Sequence, residues 1–397
     1  VAQHDAVIVG ARCAGAALAI ELARRDWDVL LVDRDEFPST TVSTHGLWPN
    51  GVARIDKLGI LDAILAEHEL AFYDSRIRGL GNEIVGGYTA VEGHDKSAAP
   101  RRIVLDQAAV KTAREAGAQV RFEERVIGLL GSGSEEDPVR GVVLSDGEEI
   151  EANWIFGADG RGSSVAKAVG AEKERPMRGE IAMSYGYWKG IPGDGYGHMQ
   201  IEYDRVLNRV PVEDGLTMLI ANGPPELTHG DQAERRRKYL EMVGRFPETV
   251  PAEMLERAEL VTEVAIAPEP LMQGFYRRPS GPGWALVGDA GHFKHPGTAQ
   301  GISDALESAV YVAEALSGPD GDLDGYEAWR EQRSAEHYEW SFAWGHFPRP
   351  GTGDVLFRGW ASEPEAGQDL RDTFSRVVDP SRLTSKERLA RWFADGQ

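Results

Sequence analysis

Two glycine–acid constellations hold the residues whose types and spacing could do chemistry. Gly10-Ala11-Arg12-Cys13-Ala14-Gly15 follows the apolar run Ala6-Val7-Ile8-Val9 and opens a helical one. It occupies the place of a G-x-G-x-x-G turn, where backbone without Cβ lets a pyrophosphate reach the N–H groups of a helix N-terminus. Asp33 follows Gly15 by 18 residues, at the end of the next apolar run. An acid there can accept hydrogen bonds from ribose hydroxyls. Far along the chain, Trp284-Ala285-Leu286-Val287 ends in Gly288-Asp289. That strand projects a second carboxylate from a sheet end, the usual ligand crevice of such folds. Strand, turn, helix and acid in register predict an extended dinucleotide.

Each residue has a plainer reading beside the functional one. Arg12 stands where the pattern has its middle glycine. Its guanidinium either pairs with a phosphate or turns away from a wider loop. Cys13 reads as a small packing residue rather than a redox thiol. Asp33 could make a strand-end turn, Asp289 a helix N-cap, and Asp159 an Asp-Gly turn.

The elements that must position these residues can be read from periodicity. A strand at 6–9, a helix at about 14–24 and a strand at 28–33 form a βαβ unit. Helical spacing recurs at 51–61 and 101–116, and Ser145-Asp146-Gly147-Glu148 turns a hairpin. Over 176–275 alternating, aromatic-rich runs at 181–188, 199–212 and 216–220 surround one amphipathic helix at 233–246. From 284 the strand–loop–helix pattern returns. The expectation is an α/β fold in which a Rossmann-like domain is interleaved with a mostly antiparallel β-sheet substrate domain. The first comprises 1–70, 100–175 and 276–317; the second comprises 71–99 and 176–275; a C-terminal helical segment spans 318–397. Trp340, Phe342 and Trp344 alternate and read as packing.

Composition narrows the function. A net charge of −21 argues against a nucleic-acid partner, which needs clustered Lys and Arg. No apolar run approaches the roughly 18 residues of a membrane span, and the first strand begins almost at once, so a cytoplasmic protein is expected. The single cysteine excludes an internal disulfide or CxxC pair, so redox chemistry must come from a bound cofactor. No HExxH-type metal spacing is present. Oligomeric state is left open.

Further motifs carry a family resemblance. Gly157-Ala158-Asp159-Gly160-Arg161-Gly162-Ser163 resembles the GADGxxS segment of flavoprotein hydroxylases. Gly288-Asp289-Ala290-Gly291-His292, with Pro296, Gly301 and Asp304-Ala305, resembles their GDAxH…P…G…DA segment. Phe37-Pro38-Ser39, Ser43-Thr44-His45, Pro49, Gly51-Val52-Ala53 and Arg101-Arg102 with Leu105 and Asp106 look like one bacterial branch. The chain is thereby identified as similar to the class A FAD-dependent monooxygenases, the para-hydroxybenzoate hydroxylase-like family.

The resemblance implies FAD held by Gly10, Arg12, Cys13, Ala14, Gly15, Asp33 and Arg34 at one end. Ser43, Thr44, Arg102 and Asp159 follow, then Gly288, Asp289, Gly301 and Ile302. The helix opening at Gly301-Ile302 would face the flavin edge where negative charge gathers on reduction. The implied cycle is reduction by NADH or NADPH as transient co-substrate, addition of O2 at flavin C4a, and hydroxylation of an aromatic or polyketide-like small molecule by the hydroperoxide. His45, His295 and Pro296 are the candidate catalytic residues, with His292 a further possible base; any of the histidines could equally be structural. His295 stands where relatives in this branch carry Asp before the proline. Tyr185, Tyr187 and Met199 are candidate substrate contacts, although an aromatic stripe is more often core.

Rival readings are a flavin-dependent reductase of prenyl or polyene double bonds, which shares the cofactor fold, and a non-catalytic flavin-binding sensor. A halogenase lacks its WxWxIP segment here, and a plain NAD dehydrogenase leaves Gly288-Asp289 unexplained.

Overall fold

The computed structural model describes residues 3–43, 45–267 and 272–394. Strand His4–Val9 pairs in parallel with Val29–Val32 on one side and Glu149–Gly157 on the other. Gln119–Arg121 and Trp284–Leu286 extend the parallel run at its two ends. Val29–Val32, Trp284–Leu286 and the Ala6–Val9 part of the first strand are apolar throughout and buried, as central parallel strands are. The intervening helix Cys13–Ala23 buries Leu18, Ile20 and Leu22 completely. It packs against the helix Gly301–Leu316, so the two candidate nucleotide segments share one helical layer.

The second sheet has nine strands. It is antiparallel except where Tyr196–Ile201 runs parallel to Phe72–Gly79. Ala182–Lys189, Thr217–Gly223 and Val206–Pro211 are its consecutive antiparallel members. A three-stranded sheet joins Glu174–Arg178, Gln273–Tyr276 and His292–Phe293. Four longer helices close the chain: Tyr326–Ala343, Thr352–Ser362, Pro364–Phe374 and Lys386–Ala394.

Several expected elements change their bounds. The helix expected over 51–61 divides into Pro49–Lys57 and Ile60–Leu65, because Gly59 adopts a left-handed φ of 76° between them. The single run 199–212 is two strands, Tyr196–Ile201 and Val206–Pro211, paired across a tight turn. The amphipathic helix expected over 233–246 spans Gln232–Val243, with the Asp231 side chain capping it. Trp340 and Phe342 lie on a helix, not a strand, and the apparent alternation has no period-2 meaning there. No helix among the described residues is long and apolar enough to cross a membrane.

Candidate functional site: a nucleotide crevice beside an apolar cavity

The glycine turn is built by close approach. Gly10 has φ of 104°, and a Cβ there would lie 2.6 Å from the Ala158 carbonyl oxygen. A Cβ on Gly15 would lie 1.8 Å from the Gly10 carbonyl oxygen, so the helix starts hard against the strand end. Asp33, 7% exposed, locks the turn: its Oδ2 accepts from Ala11 N at 2.7 Å and its Oδ1 from Asp35 N at 2.9 Å. No side chain caps the helix at Arg12 and no acid sits in its first turn. Its leading N–H groups therefore keep their anion-binding capacity.

Arg12 is engaged by side chains of the protein. Its guanidinium donates to Asp106 Oδ2 at 3.2 Å, Asp35 Oδ2 at 3.3 Å and Ser39 Oγ at 3.1 Å. Two carboxylates already neutralise it. Cys13 is buried and donates to Asp106 Oδ1 at 3.2 Å; burial raises its thiol pKa, which suits packing rather than redox chemistry. Arg34 is exposed, its side chain 3.7 Å from Asp35.

The late segment meets the early one directly. A Cβ on Gly288 would lie 2.9 Å from Ala14 Cβ and 3.2 Å from Ala305 Cβ. Asp289 is half-buried beside this contact. Burial pushes its carboxyl up to about 6, against the opposing pull of Arg161 and Arg102. Arg102, bonded to Asp106 Oδ1 at 3.0 Å, also feels the charge of Asp289. It therefore lies between the two motifs. Around Gly301 the backbone faces open space, and no side chain caps the helix that starts there. Ile302 is buried behind it. Asp159 uses Oδ2 to accept from Ser164 N at 2.6 Å, as a turn acid would, while its buried Oδ1 lacks a hydrogen-bond partner among the described residues.

His45 is 1% exposed and has a left-handed φ of 59°. Its Nε2 meets the Tyr187 hydroxyl, and its ring lies stacked on Tyr187 and edge-on to Tyr185. Burial, then Arg102 and Arg101, holds its pKa down to about 3. His45 is thus a neutral imidazole, too weak to take a phenol's proton and keep it. Its other ring nitrogen, Nδ1, is buried without a hydrogen-bond partner among the described residues. His295 is likewise held down to about 3 by burial, and its Nδ1 accepts from Gly297 N at 3.1 Å. It caps the turn Pro296–Thr298 rather than standing ready as a base. His292 is also neutral by burial and packs on Tyr276. Ser43 Oγ accepts from His45 N at 3.1 Å, and Thr44 lies outside the described residues.

A cavity of about 500 Å³ opens beside the crevice. Gly46, Pro296 and Ala299 line one end, and Met199 belongs to its wall. Tyr185 and Tyr187, expected on that wall, pack around His45 instead. Residues the sequence reading missed supply much of the lining: Trp344, Phe357 and Trp360 from the C-terminal segment, with Trp340. The signal was there, since Trp340 and Trp344 are four residues apart and share a helix face. Trp48 anchors this end by donating to the Thr298 carbonyl at 2.8 Å.

A glycine turn and two sheet-end carboxylates stand beside two helix starts without side-chain caps, and the buried His45 Nδ1 and Asp159 Oδ1, without hydrogen-bond partners among the described residues, fit a polar ligand. Residues 3–186 match the FAD binding domain family. The menaquinone reductase of Mycolicibacterium smegmatis is 27% identical, the match covering 86% of this chain and 82% of that one. The kynurenine 3-monooxygenase of Salinispora tropica is 27% identical over 83% and 77% of the two chains. A solved flavoprotein/dehydrogenase from Cytophaga hutchinsonii superposes with a TM-score of 0.80 at 18% identity over 99% of both chains, a likeness of fold. Residues 3–186 thus match an FAD binding domain, and over most of its length the chain is similar, at 27% identity, to enzymes named menaquinone reductase and kynurenine 3-monooxygenase.

Proposed function

We propose that this chain is an FAD-dependent monooxygenase that hydroxylates an aromatic or polyketide-like small molecule, with NADH or NADPH as reductant and O2 as co-substrate. The observation that supports the reading is the close approach of Gly288 to Ala14, which brings the two glycine–acid segments and their uncapped helix starts together. When bound, FAD supplies the two-electron chemistry and the activation of oxygen.

The chain's residues do the rest. Cys13, Ala14 and Gly15 present backbone N–H groups to the pyrophosphate, Gly10 (its own N–H bonded to the Val32 carbonyl) gives the close approach, Asp33 takes the adenosine ribose, and Asp289 takes the ribityl chain. Arg102 neutralises Asp289 nearby. Arg12 acts one step back, by fixing Asp35 and Asp106. Gly301 and Ile302 turn their N–H groups to charge that develops on the ring, with no titratable group involved. His45, neutral and oriented by the Tyr187 hydroxyl, leaves Nδ1 for a polar contact. Pro296 and Ala299 line the cavity that orients the substrate toward the flavin and excludes water.

The test is FAD-loaded protein incubated with NADH or NADPH and candidate aromatics. Ligand-stimulated nicotinamide oxidation matched one-to-one by O2 uptake, with a product gaining one oxygen atom, is expected. A second reading, reduction of a prenyl double bond, draws on the menaquinone reductase similarity together with the apolar cavity. Under argon it predicts continued turnover and a product gaining two hydrogens, where the monooxygenase reading predicts none.

A further inference from the structure

The cavity wall is poor in charge. Besides phenols, its ionisable side chains are His198, His295, His346 and Arg349, and no lysine, aspartate or glutamate lines it among the described residues. His346 and Arg349 are exposed. His295 is neutral, and His198 is bonded through Nε2 to Asp194 at 2.9 Å, which is not on the wall. Buried cations behind the wall are already engaged: Lys294 and Arg376 with Asp304, Arg209 with Asp194 at 2.9 Å, and Arg371 with the Gly87 carbonyl and Gln368. An ionised carboxylate brought into this space would lose several kcal/mol of hydration with no buried cation to offset it.

Besides Ser75, a pair of carboxamides interrupts the apolar sheet face. Asn208 and Asn222 stand on adjacent antiparallel strands, opposite Ile220 and Val206 respectively, and so share a face. Asn222 Nδ2 donates to Asn208 Oδ1 at 2.9 Å and to two strand carbonyls. Its amide is thereby fixed, and it orients Asn208, which is half-buried on the wall. A carboxamide offers one donor group and one acceptor, matched to a neutral carbonyl or hydroxyl. Met199 lies directly opposite Asn208 on the neighbouring strand.

We infer that the ligand of this cavity is an uncharged, largely apolar molecule of polycyclic or prenyl size, whose carbonyl or hydroxyl group is read by Asn208 in the frame set by Asn222. This rests on the cavity being the substrate site of the proposed function and specifies what that site accepts. Aromatic carboxylates are refused by the missing counter-charge rather than by size, since the space is in the ordinary range for small-molecule sites.

A matched pair tests it without turnover. 3-Hydroxy-2-naphthamide and 3-hydroxy-2-naphthoate have nearly the same volume and differ in charge at pH 7.5. Each is titrated into the FAD-loaded enzyme, following tryptophan fluorescence from the cavity wall and perturbation of the flavin spectrum. The amide is expected to bind at least tenfold more tightly. Met199→Lys, which plants a cation beside Asn208, is expected to narrow or reverse that ratio, and Asn208→Leu to weaken the amide about tenfold. Equal or tighter binding of the carboxylate to the unaltered enzyme overturns the inference, as does failure of both ligands to bind. Turnover separates this from the monooxygenase reading. An enzyme that hydroxylates the carboxylate keeps that reading and loses the inference; one that binds the amide yet never couples neutral ligands to O2 uptake does the reverse.

Discussion

At the scale of single residues, the crevice is made of positions where a side chain would be an obstruction or a charge is held against its preference. Gly10→Ala places a Cβ at a left-handed φ and against the Ala158 carbonyl, so a loss of about 1–3 kcal/mol in urea denaturation is expected, with flavin absorbance per mole of protein falling to near zero. Asp289 gives a pH-dependent result. Its folded pKa of about 6 lies above its ordinary value of 3.8, so the folded state holds that proton more firmly than the unfolded one. Its contribution to stability is present below pH 3.8 and lost as pH rises through 6. Asp289→Asn should therefore stabilise the flavin-free protein by about 1–3 kcal/mol at pH 7.5 and hardly at all at pH 4, while weakening FAD binding; thermal melts at the two pH values check it. The glycines and acids of these motifs were legible because their spacing is local. The fate of Arg12 was not, since Asp106 comes 94 positions later.

At the scale of elements, the helix Gly301–Leu316 is tied to the C-terminal segment through buried charge. Asp304 in its first turn pairs with Lys294 at 2.6 Å and with Arg376, and Glu307 one turn on pairs with Arg333 at 3.0 Å. Burial, together with Arg376, lowers the Lys294 pKa to about 7, so this pairing is delicately poised. Asp304→Asn leaves two sequestered cations facing each other and should cost about 3–5 kcal/mol in chemical denaturation, with loss of flavin retention. Separating the surface pair Arg121–Glu148 by substitution should leave the midpoint unmoved. The βαβ opening and the 145–148 hairpin followed from periodicity. The break at Gly59 did not, because a helix-compatible pattern runs straight across it, and only the backbone angle reveals the division. Tyr185 and Tyr187 were placed on the correct strand, yet which partner they face depends on the His45 loop, 142 positions earlier in the case of Tyr187.

At the scale of the whole molecule, the cavity takes much of its wall from the C-terminal helices, while the glycine turn is built from the first sheet. Trp360→Ala removes cavity wall far from the glycine turn, so FAD affinity should stay within twofold. Ligand affinity should fall about tenfold, near 1.4 kcal/mol, measurable by the same fluorescence titration. The interleaving of sheets was legible because the alternating pattern of 176–275 contrasts with the apolar runs on either side. The C-terminal contribution to the cavity was hidden, since amphipathic helices read alike whether they cover a core or a ligand.

The strand Trp284–Leu286 sits beside Glu149–Gly157, whose far neighbour is His4–Val9. Translation delivers these three in an order that leaves the nucleotide crevice lacking one flank until most of the polypeptide has emerged. A ribosome-arrested product ending near residue 275 should therefore be colourless, and prosthetic-group capture becomes a late checkpoint of biosynthesis.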